Sequence, residues 1–211
     1  MSQGMRCLLA GILFFVSAGG VRADGATVGA SAPDFTLSDA AGTPHRLSDY
    51  RGKCIVLEWF NNECPFVRKH YDSGNMQRLQ AASTAKGVIW LTIASSAPGT
   101  SGYLTPEAAT QMIRQRHANQ TALLLDADGT VGRRYGAKAT PHMFIIHSDG
   151  SVIYAGAIDD QPSVDPTNLL QATNDVRQAL DEALAGKPVS VASTRPYGCS
   201  VKYRDERNEE L

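Results

Sequence analysis

The chain has 211 residues, of which 43% are hydrophobic, and a formal net charge of −1. A chain of this length can bury one full hydrophobic core. The nearly neutral charge and the lack of a basic block are unlike a nucleic-acid-binding protein, so we expect no nucleic-acid partner.

Residues 1–23 are predicted to form a cleaved export signal. Arg6 precedes an apolar run at 8–16 that is too short to span a bilayer, and residues 21–23 resemble a small-residue cleavage site. Cleavage removes Arg6, Arg22 and no acidic residue, which changes the net charge from −1 to −3. We therefore expect a periplasmic or otherwise exported protein without stable membrane association; an uncleaved membrane anchor is the alternative. Residues 24–190 are predicted to form one domain, followed by a C-terminal tail at 191–211.

Strands and helices alternate along the predicted domain. The predicted strands are 35–37, 46–47, 54–60, 87–95, 121–126, 142–147 and 151–156; the predicted helices are 65–85 with an interruption at Gly74, one starting at Thr105, and 168–185. The last two strands flank Ser148-Asp149-Gly150, which is typical of a hairpin turn. This order predicts an α/β sandwich with a mixed sheet.

Cys64 lies where a buried strand is predicted to lead into a helix. Pro65 suits the first helical position, and the unpaired N–H groups and dipole of a helix start stabilise a thiolate. Arg68 and Lys69, one turn later, are expected to add positive potential. The pattern predicts a reactive thiol; a buried structural cysteine is the alternative.

Glu58 is an acidic residue inside the same apolar strand, six residues before Cys64. Burial of an unpaired carboxyl raises its pKa towards neutrality, which suits proton exchange with a thiol. Alternatively, the side chain reaches a sheet edge or pairs with a lysine.

Thr140 and Pro141 come immediately before a predicted strand, and proline is tolerated there only in a special turn. The sequence therefore predicts a cis Thr140–Pro141 peptide bond.

Taken together, these features resemble the thioredoxin superfamily, and its peroxiredoxin-like branch in particular, over roughly residues 29–186. The resemblance depends on Pro33-Asp34-Phe35, the strand–Cys64–Pro65–helix unit, "DADGTVGRRYGAKATP" and the closing hairpin. It implies a thioredoxin-like three-layer sandwich with helices on both faces of a mixed sheet and an N-terminal β extension. It also implies thiol or disulfide partners and no cofactor. The family's cis-proline loop, which packs beside the active cysteine, maps onto Thr140-Pro141, and its buried acid maps onto Glu58.

Two departures from the family pattern bear on activity. Val67 occupies the position of the second cysteine in a thioredoxin Cys-x-x-Cys motif. Asn61 and Leu57 occupy the positions of the hydroxyl residue and the proline that precede a peroxiredoxin's reactive cysteine. The missing hydroxyl predicts poor peroxidase activity, so disulfide exchange is the first hypothesis and antioxidant peroxide reduction the alternative.

The predicted mature chain contains three cysteines, so at least one thiol lacks an intramolecular partner. Cys54 begins the strand that leads to Cys64, and an extended strand would place the two far beyond disulfide reach. Cys199 lies in a tail whose apolar side chains allow docking, and a long loop costs little more to close than a short one. We expect Cys199 to fold back as the resolving thiol of Cys64; an unpaired surface cysteine and an intermolecular bridge are the alternatives.

Two hypotheses from other classes remain open. Soft-metal binding, for example of Cu(I), would draw on residues of suitable type, although their spacing lacks a paired-cysteine motif. Those residues are Cys64, His70, Met76, His142 and Met143. A redox-inactive interaction module is the other hypothesis. The acidic residues Asp159, Asp160 and Asp165 match no calcium loop and indicate a solvated turn, so no metal site is predicted.

Overall fold

The computed structural model describes residues 25–204. The predicted signal at 1–23 and most of the charged end at 204–211, predicted to be frayed, lie outside the described residues. None of the helices in the described part is long and apolar enough to cross a membrane.

Seven strands of the described region form one mixed sheet in the order β2-β1-β5-β4-β3-β7-β8. They are β1 (Thr36–Asp39), β2 (Pro44–Arg46), β3 (Ile55–Trp59), β4 (Ile89–Ala94), β5 (Ala122–Leu125), β7 (His142–Ile146) and β8 (Val152–Gly156). Strands β3, β4 and β5 are parallel, β7 and β8 are antiparallel to their neighbours, and the β1–β2 hairpin adds to the β5 edge. A separate pair is formed by β6 (Ala139–Thr140) and β9 (Cys199–Ser200). The mixed sheet, closing hairpin and N-terminal β extension confirm the prediction.

Helices cover both faces of the sheet. They are α1 (Pro65–Asp72), α2 (Asn75–Thr84), α3 (Pro106–Arg116), α4 (Thr130–Tyr135) and α5 (Asp175–Leu184), with short 3-10 helices at Leu47–Tyr50 and Pro166–Leu170. Alternate residues of the central strands point to opposite faces. Val56 therefore joins the core under α1, α2, α3 and α5, whereas Leu57 joins the core under α4. Both cores are built from buried apolar side chains, and Cys64 belongs to the first.

The helical prediction was correct early in the chain and wrong at its end. Gly74 separates α1 from α2 with a φ of 71°, which glycine adopts without strain. The single helix predicted at 168–185 is instead a 3-10 turn followed by α5. Leu170 is 90% exposed and offers no buried face there, and Asn174 accepts a hydrogen bond from the Arg177 N–H, which starts α5.

Candidate active site

Cys64 lies between the end of β3 and the first turn of α1. It is the N-cap residue, with extended backbone (φ −70°, ψ 123°), and Pro65 takes the first helical position. The strand is buried along its whole length and fixes the cysteine at the carboxyl edge of the sheet. Cys64 is 2% exposed, because other segments of the chain cover it.

The first covering segment is the loop before β7. The Thr140–Pro141 peptide bond is cis, as predicted. The Cys64 thiol donates a hydrogen bond of 3.1 Å to the backbone oxygen of Thr140. The predicted contact between this loop and the cysteine is therefore present.

The second covering segment is the C-terminal tail. Strand β9 pairs antiparallel with β6, with Cys199 opposite Thr140, and Cys199 packs against the core that contains Cys64. The neighbouring Gly198 has a φ of 128°, and a Cβ there would lie 2.0 Å from the Thr140 backbone oxygen. Only glycine allows the tail to approach this closely. Cys54, Cys64 and Cys199 are all free thiols in this structure.

The two adjacent thiols differ in acidity. Burial raises the pKa of Cys64, but its interactions with Cys199, with Thr140 and with the Val67 N–H outweigh burial and lower that pKa below the ordinary value. Burial, and then the interaction with Cys64, raises the pKa of Cys199 to about 11. Cys64 is therefore the more acidic of the two thiols, and Cys199 is protonated at neutral pH.

The predicted contribution of two basic neighbours is wrong. Arg68 is exposed and pairs with Asp72, 3.4 Å away. Lys69 is fully buried, donates a hydrogen bond to the Gln161 backbone oxygen and lies 3.9 Å from Asp159. Hydrogen-bond donors, rather than these cations, stabilise the Cys64 thiolate.

Tyr197 anchors the tail in a buried polar cluster that the sequence did not reveal. Its hydroxyl donates to Asp159, accepts from Lys69 at 3.2 Å and lies 3.3 Å from His70 Nε2. Its ring also contacts that of Phe66 edge-on, with centroids 5.7 Å apart. The only signal in the sequence was the apolar character of the tail, and it carries no information on these partners.

Glu58 is fully buried and points to the same side of β3 as the core that contains Cys64. Burial raises its pKa, as predicted, although four donors hydrogen-bond to the carboxylate. These donors are Tyr71 at 2.9 Å, Trp90 at 2.8 Å, Thr92 at 3.0 Å and Gln80 at 3.2 Å. The alternatives of a sheet-edge or lysine-paired carboxylate are therefore wrong.

Cys54 and Asn61 have settings that do not suit catalysis. Cys54 is a buried core residue just before β3, and burial raises its pKa to about 11. The Asn61 side chain donates to the Ser101 backbone oxygen and accepts from the Glu63 N–H, so both of its polar ends are occupied.

The histidine and cysteine candidates for metal binding do not form a cluster among the described residues. His70 is buried at Tyr197 and Asn75, and burial lowers its pKa to about 3. Across residues 25–204, no group of three or more His, Cys, Asp and Glu side chains could hold a metal ion. In the acidic loop, Asp159 is buried with Tyr197 and Lys69, so the prediction of a solvated turn is wrong for this residue.

Curated relatives of this chain are thiol–disulfide oxidoreductases. ResA of Geobacillus thermodenitrificans is 29% identical over 125 residues, which cover 59% of this chain and 66% of that protein. ResA of Bacillus subtilis is 23% identical over 145 residues, covering 68% and 75%. The chain thus spans just under two thirds of the length of the first of these relatives.

Solved structures confirm the fold. An uncharacterised protein from Geobacillus kaustophilus is 26% identical with a TM-score of 0.74, covering 87% of this chain and 95% of that one. A hypothetical protein from Sinorhizobium meliloti is 24% identical with a TM-score of 0.73, covering 86% and 97%. A proposed thiol:disulfide interchange protein DsbE from Chlorobium tepidum is 27% identical with a TM-score of 0.52, covering 62% and 85%. The three-layer sandwich is therefore thioredoxin-like.

The family assignment depends on a match that covers more than half of the chain. Residues 28–155 match the model of the AhpC/TSA family, and this range includes Glu58, Cys64 and the cis Thr140–Pro141 bond. Cys199 lies beyond it. The chain belongs to the AhpC/TSA family of the thioredoxin superfamily.

Proposed function

We propose that the protein is an exported thiol–disulfide oxidoreductase in which Cys64 attacks a disulfide and Cys199 resolves the intermediate. The observation that carries this proposal is the position of Cys199, which pairs opposite Thr140 in the β6–β9 ladder and packs against the core that contains Cys64, at the start of α1. The proposed partners of the protein are thiols and disulfides of proteins or small molecules, in agreement with the names of the curated relatives.

The reaction consists of two exchanges. The Cys64 thiolate attacks one sulfur of the substrate disulfide, an S–S bond forms, and the other substrate sulfur leaves as a thiolate and takes up a proton. Cys199 then loses its proton and attacks the Cys64 sulfur, which releases the second substrate thiol. Two protein thiols are oxidised to one disulfide, and one substrate disulfide is reduced to two thiols.

The acidity of the thiols suits this order of events. Before the reaction, Cys64 is the thiol with the lowered pKa and Cys199 the thiol with the raised one. Once Cys64 is bound in a mixed disulfide it has no negative charge, so its contribution to the raised pKa of Cys199 is removed and the effect of burial remains. Cys199 is thus easier to deprotonate after the substrate is attached than before.

The proposed reaction also requires that the substrate reach Cys64 and that a group accept the proton of Cys199. Cys64 is 2% exposed, so in this proposal the segment around Cys199 moves aside to admit the disulfide. Glu58 is the proposed proton acceptor for the resolving step, because burial raises the pKa of its carboxyl. None of the four groups that donate hydrogen bonds to Glu58 is Cys64 or Cys199. In this proposal a water molecule therefore relays the proton from Cys199 to Glu58.

Disulfide exchange is favoured over peroxide reduction by the setting of Asn61. A dedicated peroxidase needs a hydroxyl group to orient the peroxide, and the buried Asn61 amide is already bonded to Ser101 and Glu63. Pre-organised donors of this kind account for much of an enzyme's rate.

The test is reduction of insulin disulfides with dithiothreitol as the electron source. We expect turnover by wild type and none by Cys64→Ser, and, when reduced Cys199→Ser is freed of dithiothreitol and mixed with insulin, a trapped mixed disulfide on Cys64. Cys54→Ser is the matched control and should keep wild-type turnover. Full activity of Cys64→Ser would refute the proposal; wild-type turnover of Cys199→Ser without a trapped adduct would refute the role of Cys199.

A further inference from the structure

A cavity of about 950 Å³ lies beside the tail, and the residues that line it are neighbours of Cys199 but include neither Cys199 nor Cys64. Its wall includes tail residues 194–198 and Ser200, so the cavity borders Cys199 on both sides along the chain. Ala139, which pairs with Ser200 across the β6–β9 ladder, also lines it. Pockets that hold organic ligands have volumes of roughly 300–1,000 Å³, so this space is large enough for a short peptide.

The cavity wall carries charges of both signs that do not pair with one another. Asp159, Asp160 and Asp175 supply carboxylates, and Lys138 and Arg195 supply cations. Within residues 25–204, no ion pair joins any of these acids to Lys138 or Arg195. Burial and the neighbouring Asp160 raise the pKa of Asp175, so at least two of the carboxylates lie close to each other. A bound cation would relieve this repulsion.

One buried acceptor at this wall lacks a donor. The Asp159 side chain is 1% exposed, and its Oδ2 has no hydrogen-bond partner among the described residues. His70 Nε2 lies 3.8 Å from Asp159 Oδ2, beyond hydrogen-bond distance, and burial lowers the pKa of His70 to about 3, so the ring is neutral at neutral pH. An unpaired buried carboxylate oxygen is costly, and a cation held in the adjoining cavity would offset its negative charge without contacting it.

From these features we infer that the cavity binds the recognition part of a peptide disulfide that carries both an ammonium group and a carboxylate. The acidic side of the wall would hold the ammonium group, and Arg195 and Lys138 would hold the carboxylate. This inference rests on the proposed function and adds its substrate class. Neighbouring residues of a strand point to opposite faces, so Ser200 faces the cavity while Cys199 faces the core that contains Cys64. The disulfide of the substrate must therefore extend past β9 to reach the thiols.

The direct test measures binding without chemistry. The probe is S-methylglutathione, a peptide with an ammonium group, two carboxylates and no reactive sulfur, titrated by calorimetry into the Cys64→Ser protein. We expect saturable binding that weakens about two- to fivefold in Arg195→Gln and in Asp175→Asn, the effect of one exposed ion pair. The matched controls Arg177→Gln and Asp181→Asn change exposed charges on α5 that do not line the cavity, and they should bind as the parent does.

A kinetic arm uses the protein with all its thiols. Reduction of oxidised glutathione should show a KM about two- to fivefold higher in Arg195→Gln with kcat unchanged, whereas reduction of neutral hydroxyethyl disulfide should be unaffected. Absence of saturable binding, or equal binding by parent and cavity variants, would overturn the inference. The Cys64→Ser protein cannot perform disulfide exchange, so binding of S-methylglutathione to it tests the cavity alone. A failure of the proposed reaction would therefore be distinguishable from a failure of this inference.

Discussion

Gly198→Ala should detach the Cys199 segment from Cys64 while the rest of the fold stays intact. A Cβ at this position would lie 2.0 Å from the Thr140 backbone oxygen, where real Cβ atoms essentially never come closer than 3.0 Å. The backbone φ of 128° adds strain of about 1–3 kcal/mol for a residue other than glycine. Strand β9 has only two residues, and each hydrogen bond contributes about 0.5–1.5 kcal/mol. Strain and clash together exceed what the β6–β9 pairing supplies.

The assay is the rate at which iodoacetamide alkylates Cys64 in the reduced protein. In wild type the thiol is 2% exposed, so alkylation waits for the tail to open. If Gly198→Ala removes about 2 kcal/mol of docking free energy, the open population and the alkylation rate rise about 30-fold. Formation of the Cys64–Cys199 disulfide should slow in the same variant.

Gly186→Ala is the matched control. Gly186 also has a positive φ, 70°, but a Cβ there meets nothing within 4 Å. The control therefore carries a left-handed backbone penalty, about 1–2 kcal/mol, without the clash. It should lower the melting temperature slightly and leave Cys64 alkylation unchanged. Equal alkylation of Cys64 in wild type and Gly198→Ala would refute the reasoning.

Three further predictions follow from the site. Tyr197→Phe removes the hydroxyl that bonds to the buried Asp159 carboxylate, so we expect a loss of about 1–3 kcal/mol in urea denaturation and faster alkylation of Cys64; an unchanged midpoint would contradict it. Glu58 binds its proton more tightly in the folded state, since burial raises its pKa above 4.5, so its contribution to stability is full at low pH and is lost as pH rises. Glu58→Gln should therefore reduce the decline of unfolding free energy above pH 4.5, and an unchanged slope would show that the group does not titrate in this way. The oxidation of wild-type Cys64 by hydrogen peroxide, measured by stopped-flow fluorescence, should be no faster than that of an ordinary thiol of low pKa, because Asn61 supplies no hydroxyl. Rapid loss of the Cys64 thiol at micromolar peroxide would instead favour a peroxidase.

Local features of the sequence were enough to predict the main elements of the site. Continuous apolar runs with turn residues between them indicate buried strands, and Pro65 directly after Cys64 indicates a helix start. The cis Thr140–Pro141 bond follows from a proline placed just before a strand. The approach of the tail to Cys64 was inferred from its apolar side chains, and β9 places Cys199 opposite Thr140.

Features that depend on distant contacts were predicted wrongly or not at all. Lys69 was expected to act on Cys64, but five residues of helix rotate a side chain by about 140°, towards Asp159. Helix α4 and strand β9 have six and two residues, and such short elements show too little periodicity to be predicted. The partners of Tyr197 come from α1 and from the loop after β8, so nothing near the tail in sequence indicates them.

The central claim is that Cys64 and Cys199 form a redox pair, and peptide mapping of the oxidised protein tests it most directly. The protein is oxidised with one equivalent of a small disulfide, remaining thiols are alkylated, and peptides are identified by mass spectrometry without reduction. The account predicts one peptide pair linked through Cys64 and Cys199, with Cys54 alkylated after unfolding. A Cys199 that alkylates freely while Cys64 is oxidised or linked to another molecule would contradict it.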